Sequence, residues 1–429
     1  MTTAAMRGGS GKANTGSQSR GDAADKQFAP DWWLFLVTLA LLGFGVVMVF
    51  NASYAHATEV EYTGGDPLFF LKRQAVAAGV GLLGLFAFLR IPYWKLRRVA
   101  VFGMVATIAL LAVVLVMGHG ALGAQRWLKV GPLQVQPSEM AKLALVLYLA
   151  HTLAANPGLM RNLWRGVMPL LAGILIFVVL PVELQPDLGT AITLVLTLVL
   201  LLFTAGAKTR WIAGMLAFFS LCGLGLALRG GTEGPEAYRW RRVTTFLNPD
   251  AAPLEAGYQI RHSKIALGTG GLLGVGFGES REKLKGNLPA QRTDFIFAIV
   301  GEELGLAGTC GVLAAFLLLA ARGFHVATRT KNRFGQLLAT GITGMISVQA
   351  LINVAVVTAS LPATGVPLPF LSFGGSSLVT TLVGVGILLN ISRHPYHVDE
   401  ERSRAARRNG GKERARARRA ALELSEWEA

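Results

Sequence analysis

Between residues 32 and 392 the chain is a succession of apolar runs, most of them close to the ~20 residues a helix needs to span ~30 Å of hydrocarbon. They fall near 32–51, 68–90, 98–118, 138–155, 167–181, 188–206, 211–228, 294–322, 334–358 and 376–392. Of the 429 residues, 52% are hydrophobic and 15% are charged, against roughly 25% charged in a soluble domain. A soluble fold of this size needs more polar surface than that. The expected fold class is an all-α polytopic membrane protein, with about ten transmembrane helices and a large extracellular loop, 230–293, between helices 7 and 8.

Charge in the connecting segments supports this layout. Segments 91–97, 156–166, 207–210 and 323–333 carry Lys95, Arg97, Arg161, Arg165, Lys208, Arg210, Arg329, Lys331 and Arg333, whereas 52–67, 182–187 and 359–375 carry no Lys or Arg. Only Arg126 and Lys129 in 119–137 break the alternation. The positive-inside rule places the first set and both termini in the cytoplasm, and long loops such as 230–293 are largely exempt from it. The net charge of +16 is therefore read as topogenic and attracted to an anionic leaflet, not as a nucleic-acid surface. Residues 1–31 are polar and small, and are expected to be a disordered cytoplasmic N-terminus. Residues 394–429 form an Arg-rich cytoplasmic tail. Cys222 and Cys310 both sit in apolar runs, which argues against a disulfide framework or a zinc site.

Charges inside apolar runs are costly, about 2.5–3.5 kcal/mol each on insertion scales. Glu139 and Lys142 share one helix face at i,i+3, as a structural ion pair or as the wall of a polar cavity. His151 reads as an interfacial or packed histidine. Glu302 and Glu303 lie some two turns into the eighth run and need partners, of which Lys142 is one. The stretch 268–305, GTGGLLGVGFGESREKLKGNLPAQRTDFIFAIVGEELG, lacks the Lys-Ser/Thr of a phosphate loop. Its glycines permit tight turns or close backbone approach to a ligand. Lys283, Lys285 and Arg292 are cations of the outer face, either as solvated loop charges or as ligand contacts. Asp294 opens the eighth run. It is either a first-turn acid favoured by the helix dipole, with Thr293 as N-cap, or a general base at the membrane boundary. The segment 361–378, LPATGVPLPFLSFGGSSL, is irregular backbone that lines a cavity or is buried in protein. Ser376 and Ser377 either cap the tenth helix or face that cavity. No His or Asp in the outer segments completes a nucleophilic serine constellation.

These stretches resemble the SEDS family (shape, elongation, division and sporulation) of bacterial peptidoglycan glycosyltransferases. The resemblance is carried by AQRWLKVGPLQVQPSEMAK at 124–142, QPDLGTA at 185–191, GYQIRHSKIALGTGG at 257–271, 288–305 and 361–377, in the family's order. GFGESREKLKGNLP and AIVGEELG look like the division (FtsW-like) branch, while ATGVPLPFLSFGG, with Phe370, is closer to the elongation (RodA-like) wording.

The resemblance implies polymerisation of lipid II, with Asp294 as the catalytic carboxylate and Glu139 and Lys142 lining a central cavity. It implies inversion at the anomeric carbon during septal wall synthesis. Arg126, Lys129, Lys283 and Arg292 are the candidates to hold pyrophosphate. Gln185, Asp187, Gln259, Ser263, Ser376 and Ser377 are further substrate-binding candidates. A divalent cation, Mg or Mn, is an optional cofactor. The implied partners are a class B penicillin-binding protein and division regulators, and the implied location is the bacterial inner membrane at the septum. The competing readings are a lipid II flippase, a non-catalytic division scaffold and an elongation-type polymerase.

Overall fold

The computed structural model describes residues 28–59, 63–118, 126–130, 133–185, 187–229, 244–246, 256–284 and 287–397. Most of the expected N-terminal segment, the tail from 398, most of 230–255 and Lys285 lie outside the described residues.

The described chain is a helical assembly. Helices α1 (Trp32–Glu59), α2 (Phe69–Arg90) and α3 (Tyr93–Met117) are followed by a short antiparallel hairpin, β1 (Leu128–Val130) and β2 (Leu133–Val135). Helix α4 (Pro137–Ala155) then begins with Pro137 in its first turn, where the missing N–H costs nothing. The fifth segment alternates π turns, Leu163–Val167 and Leu175–Val179, with short helices α5 (Met168–Ile174) and α6 (Leu180–Leu184). Helices α7 (Leu188–Ala205), α8 (Thr209–Arg229), α9 (Ala256–Gly270), α10 (Arg281–Leu284), α11 (Ile296–Arg329), α12 (Arg333–Val357) and α13 (Gly375–Arg393) complete the order.

Seven helices, α1, α2, α3, α7, α11, α12 and α13, are long and apolar enough to cross a membrane. The other three expected spans are helical too: α4 carries its ion pair, 163–184 is interrupted by π turns, and α8 is apolar over Thr209–Leu221. Helices α12 and α13 are the most enclosed. Exposed side chains such as Phe102, Val116, Phe203, Phe218 and Leu317 suit an acyl-chain environment. The described ends meet: Arg322 forks onto Asp31, the Phe28 N–H donates to the Arg393 carbonyl at 2.9 Å, and Trp94 stacks on His397.

Part of the expected outer loop is not a solvated loop. Helix α9 packs along α11, and the glycine stretch after it is spliced into α11. At Gly305 (φ 64°, ψ −160°) α11 breaks. The two bonds that would join 306 to 302 and 307 to 303 are lost. The Val275 and Gly276 N–H groups donate instead to the carbonyls of Glu302 and Glu303, at 3.0 and 3.1 Å. The Leu306 and Ala307 N–H groups donate to the carbonyls of Gly271 and Leu272, at 2.9 and 3.1 Å. Every backbone group freed by the break is thus recovered, as it must be where water is scarce. The close approach expected of these glycines is real, but it is to the backbone of α11. Gly274 has φ +84°, and a Cβ there would lie 2.0 Å from the Glu303 carbonyl oxygen.

Gly274→Ala should therefore lower stability by at least about 2 kcal/mol, combining positive φ with a clash against backbone. Gly268→Ala, on the open face of α9 with nothing near its Cβ position, should be neutral or stabilising by up to about 1 kcal/mol. Thermal unfolding of the purified protein in detergent separates the two.

Candidate active site

Asp294 does not sit in a helix. It lies in a turn that ends at Phe295, and α11 begins at Ile296 with no side-chain cap. Thr293 is not an N-cap, because its hydroxyl donates back to the Ala290 carbonyl at 3.2 Å. The simplest structural reason for an acid here, favourable placement in a first helical turn, is therefore absent. The turn is fixed from outside. Three successive carbonyls are pinned: that of Arg292 by the Phe373 N–H at 2.8 Å, that of Thr293 by the Ser372 hydroxyl at 2.5 Å, and that of Asp294 by the Asn353 amide at 2.7 Å. The same Asn353 amide donates to the Val366 carbonyl at 2.7 Å.

All three pins engage the irregular segment between α12 and α13 or the helix beside it. That segment is buried in protein, as irregular backbone at this depth requires. Ser372 also accepts from the Leu368 N–H, and Gln74 of α2 donates to the Ser372 carbonyl. Gly45 of α1 admits the Phe370 carbonyl where a Cβ would be 2.2 Å away, and Phe370 holds a φ of +66° that only dense packing sustains. The outcome is that Gly365 faces the Asp294 carboxylate: a Cβ at 365 would lie 3.7 Å from Oδ2. Nearby, the buried atoms Asn353 Oδ1 and Thr364 Oγ1 have no hydrogen-bond partner among the described residues, which is unusual for buried polar groups. The Arg292 guanidinium stacks over Phe70, 4.3 Å from the ring centre.

A second polar group lies alongside. Lys142 pairs with Glu139 at 2.8 Å, both within 3% of full burial, and also donates to Gln349 at 2.7 Å. Gln349 in turn donates to the Pro367 carbonyl and to Ser377. Gln349 and Asn353 are one turn apart on α12, so adjacent carbonyls, 366 and 367, join the ion pair to the Asp294 turn. Neither serine caps α13, whose N-cap is Gly374 without a side-chain bond. Ser376 accepts from the Gln136 N–H and so anchors the hairpin's end to α13.

The remaining candidates divide into groups. Asp187 caps α7 through the Thr190 N–H and accepts from Ser138 and Gln136. Arg126 donates to the Gln185 carbonyl at 2.9 Å. Lys129 lies on β1 opposite Gln134. Gln259 is partly exposed on α9, and Ser263 is buried there against the Val357 carbonyl.

Lys283 is a correction. It was expected as an outer cation, yet it is 5% exposed and its ammonium is taken up by Glu303 and Asn51, each at 2.5 Å. It is the partner of Glu303, a role for which Lys142 was one candidate. Glu302 is satisfied separately, by the Ser280 hydroxyl and the Arg281 N–H. Among the described residues no three His, Cys, Asp or Glu side chains are grouped to hold a metal ion.

Asn353, Gln349, Ser372 and Asn51 were missed by the sequence reading, which weighed charges inside apolar runs. Gln349 and Asn353 carried a usable signal: two amides at i,i+4 within the apolar run 334–358 mark one polar helix face. Removing one member of a buried pair costs more than removing both. Glu303→Leu, which strands Lys283, should lower stability by about 3–5 kcal/mol. Glu303→Leu with Lys283→Met should recover at least half of that loss in the same melting experiment.

A family described as "Cell cycle protein", covering FtsW, RodA and SpoVE, matches residues 32–397. Stage V sporulation protein E of Bacillus subtilis is 41% identical over 372 residues, 86% of this chain and 98% of that protein. A probable peptidoglycan glycosyltransferase FtsW of a Geobacter species is 40% identical over 84% of this chain and 96% of its own length. Among solved structures, a chain from a peptidoglycan synthase complex superposes with a TM-score of 0.69 at 32% identity, covering 86% of this chain and 100% of that one. The rod shape determining protein RodA of Thermus thermophilus gives 0.63 at 30% identity, covering 86% and 98%. With the match running through nearly all of the described residues, the chain belongs to the cell cycle protein family of FtsW, RodA and SpoVE.

Proposed function

We propose that this chain is a peptidoglycan glycosyltransferase that polymerises lipid II into β-1,4 glycan strands, with Asp294 as general base. The observation that carries the reading is the pinning of three successive carbonyls, which presents one carboxylate against Gly365 in a wall of otherwise packed backbone. Relatives of about 40% identity are named as probable transferases of this kind.

In the proposed reaction the 4-hydroxyl of an acceptor sugar attacks the anomeric carbon of a donor that is α-linked to a lipid pyrophosphate. Asp294 takes the hydroxyl proton as the new bond forms, the pyrophosphate leaves with the bonding electron pair, and the anomeric centre inverts. Arg292, two residues from Asp294, is the cation proposed to stabilise the departing charge, with Arg126 and Lys129 as further candidates. Lys283 is excluded from that role by its buried pairing with Glu303. Glu139 and Lys142 hold the second wall of the site as a self-neutralised pair joined to the same loop through Gln349. Identity with proteins named FtsW supports a division role at the septum, and likeness to a chain of a synthase complex supports a class B penicillin-binding protein as partner. Both termini are proposed to be cytoplasmic, with the Asp294 turn at the outer face.

A lipid II flippase would use a polar cavity bearing Glu139, Lys142 and Glu303 as its path. Glu303 is fully buried and committed to Lys283 and Asn51, which leaves that path without its third member. General base catalysis contributes typically 10²–10⁴-fold, so Asp294→Asn should lose at least about 10²-fold in turnover. The assay is strand formation from lipid II in detergent, alone and with the cognate crosslinking partner. Strands from wild type alone support the transferase. Near-normal polymer from Asp294→Asn would remove the base. No polymer from wild type with its partner bound would favour transport or scaffolding.

A further inference from the structure

The base assignment leaves open what keeps the Asp294 carboxylate in one place. Its turn has no helical support, since α11 starts two residues later and lacks a side-chain cap. Its own internal bonds, from Thr293 and Phe295 to the Ala290 carbonyl, pass through Ala290 at a positive φ of 57°, a conformation unfavourable for a non-glycine residue. Two side chains reach across to the turn and pin the carbonyls of Thr293 and Asp294.

We infer that Asn353 and Ser372 are positioning residues for the transferase reaction. Asn353 uses both of its amide hydrogens, one on the Asp294 carbonyl and one on the Val366 carbonyl, each at 2.7 Å. That single planar group fixes the separation between the residue bearing the carboxylate and the residue next to Gly365. Ser372 does the same one residue earlier, donating to the Thr293 carbonyl while accepting from the Leu368 N–H. Both are buried, Asn353 at 1% exposure and Ser372 at 4%. Neither approaches the reaction directly; each acts through the position of Asp294. The inference rests on the base reading above.

A matched control exists in the same chain. Asn390 is equally buried and also bridges two elements, donating to the Leu89 carbonyl and accepting from the Tyr93 N–H. It does so at the junction of α2, α3 and α13, at the end of α13 opposite Ser376 and Ser377. Loss of Asn390 should destabilise the fold while leaving turnover per folded molecule intact.

The test uses the full-length protein with its crosslinking partner. Initial rates of strand formation are measured against lipid II concentration, beside thermal unfolding, for Asn353→Leu, Ser372→Ala and Asn390→Leu. A misplacement of about 1 Å can cost about 10²-fold in rate. Asn353→Leu is expected to lower kcat at least about 10-fold and Ser372→Ala at least about 3-fold. KM should stay within about twofold for both, because substrate affinity does not depend on the base. Asn390→Leu should melt as low as Asn353→Leu yet keep its kcat. In an Asp294→Asn background, Asn353→Leu should add less than about threefold, the non-additivity of groups that act as one unit.

Unchanged kcat in Asn353→Leu and Ser372→Ala overturns the inference while the base reading stands. A fall in kcat that Asn390→Leu shares, in proportion to lost stability, also overturns it. Full activity in Asp294→Asn with loss in Asn353→Leu removes the base reading and the inference together.

Discussion

A backbone group left unpaired in hydrocarbon costs several kcal/mol, and the break in α11 at Gly305 makes four of them. The chain answers with the glycine-rich stretch that follows α9, which restores each bond from the side. Much else follows from that splice. Holding residues 271–276 against the break delivers residues 280–283 to Glu302 and Glu303, so two carboxylates deep in an apolar helix acquire partners from the protein itself. Asn51 of α1 joins the second pair and ties the first helix to the eighth expected span. From this anchored segment the chain has only a short path to α11, and the turn carrying Asp294 lies on it.

The site is thus assembled from two pieces of irregular backbone that brace one another. One is the turn before α11, supported from below by the splice and by Gln291, which donates to the Ala52 carbonyl. The other is the loop between α12 and α13, seated on Gly45 and Gln74. Helix α12, the most enclosed with α13, supplies both cross-braces one turn apart: Asn353 to the Asp294 side and Gln349 to the Glu139–Lys142 side. A transferase needs its base held still while two long lipid-linked substrates are exchanged. Rigid placement of this kind is where enzymes gain from orientation.

Much of the helical layout was legible because apolar length is a strong signal, and the Glu139–Lys142 pair was legible from i,i+3 spacing alone. The resemblance placed Asp294 in the family's motif. What local pattern could not show was pairing across distance. Lys283 read as a loop cation because its acid is not Glu279 or Glu282 close by in sequence but Glu303 on another helix. The glycines of 268–278 read as ligand-facing because their real neighbour is a break 30 residues later. Thr293 and Ser376 looked like caps, since a hydroxyl before a helix usually is one, but Thr293 closes its own turn onto the Ala290 carbonyl and Ser376 is claimed across the fold by the Gln136 N–H. Asn353 and Gln349 went unremarked because an amide in an apolar run stands out less than a charge, although its burial demands a partner just as firmly.

The central claim is that Asp294 is held where it meets the attacking hydroxyl. An experimental structure of the protein with its crosslinking partner, trapped with non-reactive donor and acceptor analogues of lipid II, tests it directly. The acceptor 4-hydroxyl should lie about 2.6–3.2 Å from an Asp294 carboxylate oxygen, with the Asn353 bridge to Val366 intact. An acceptor hydroxyl facing another side chain, or an Asp294 turn that leaves the 366–373 loop when substrate binds, would contradict the account.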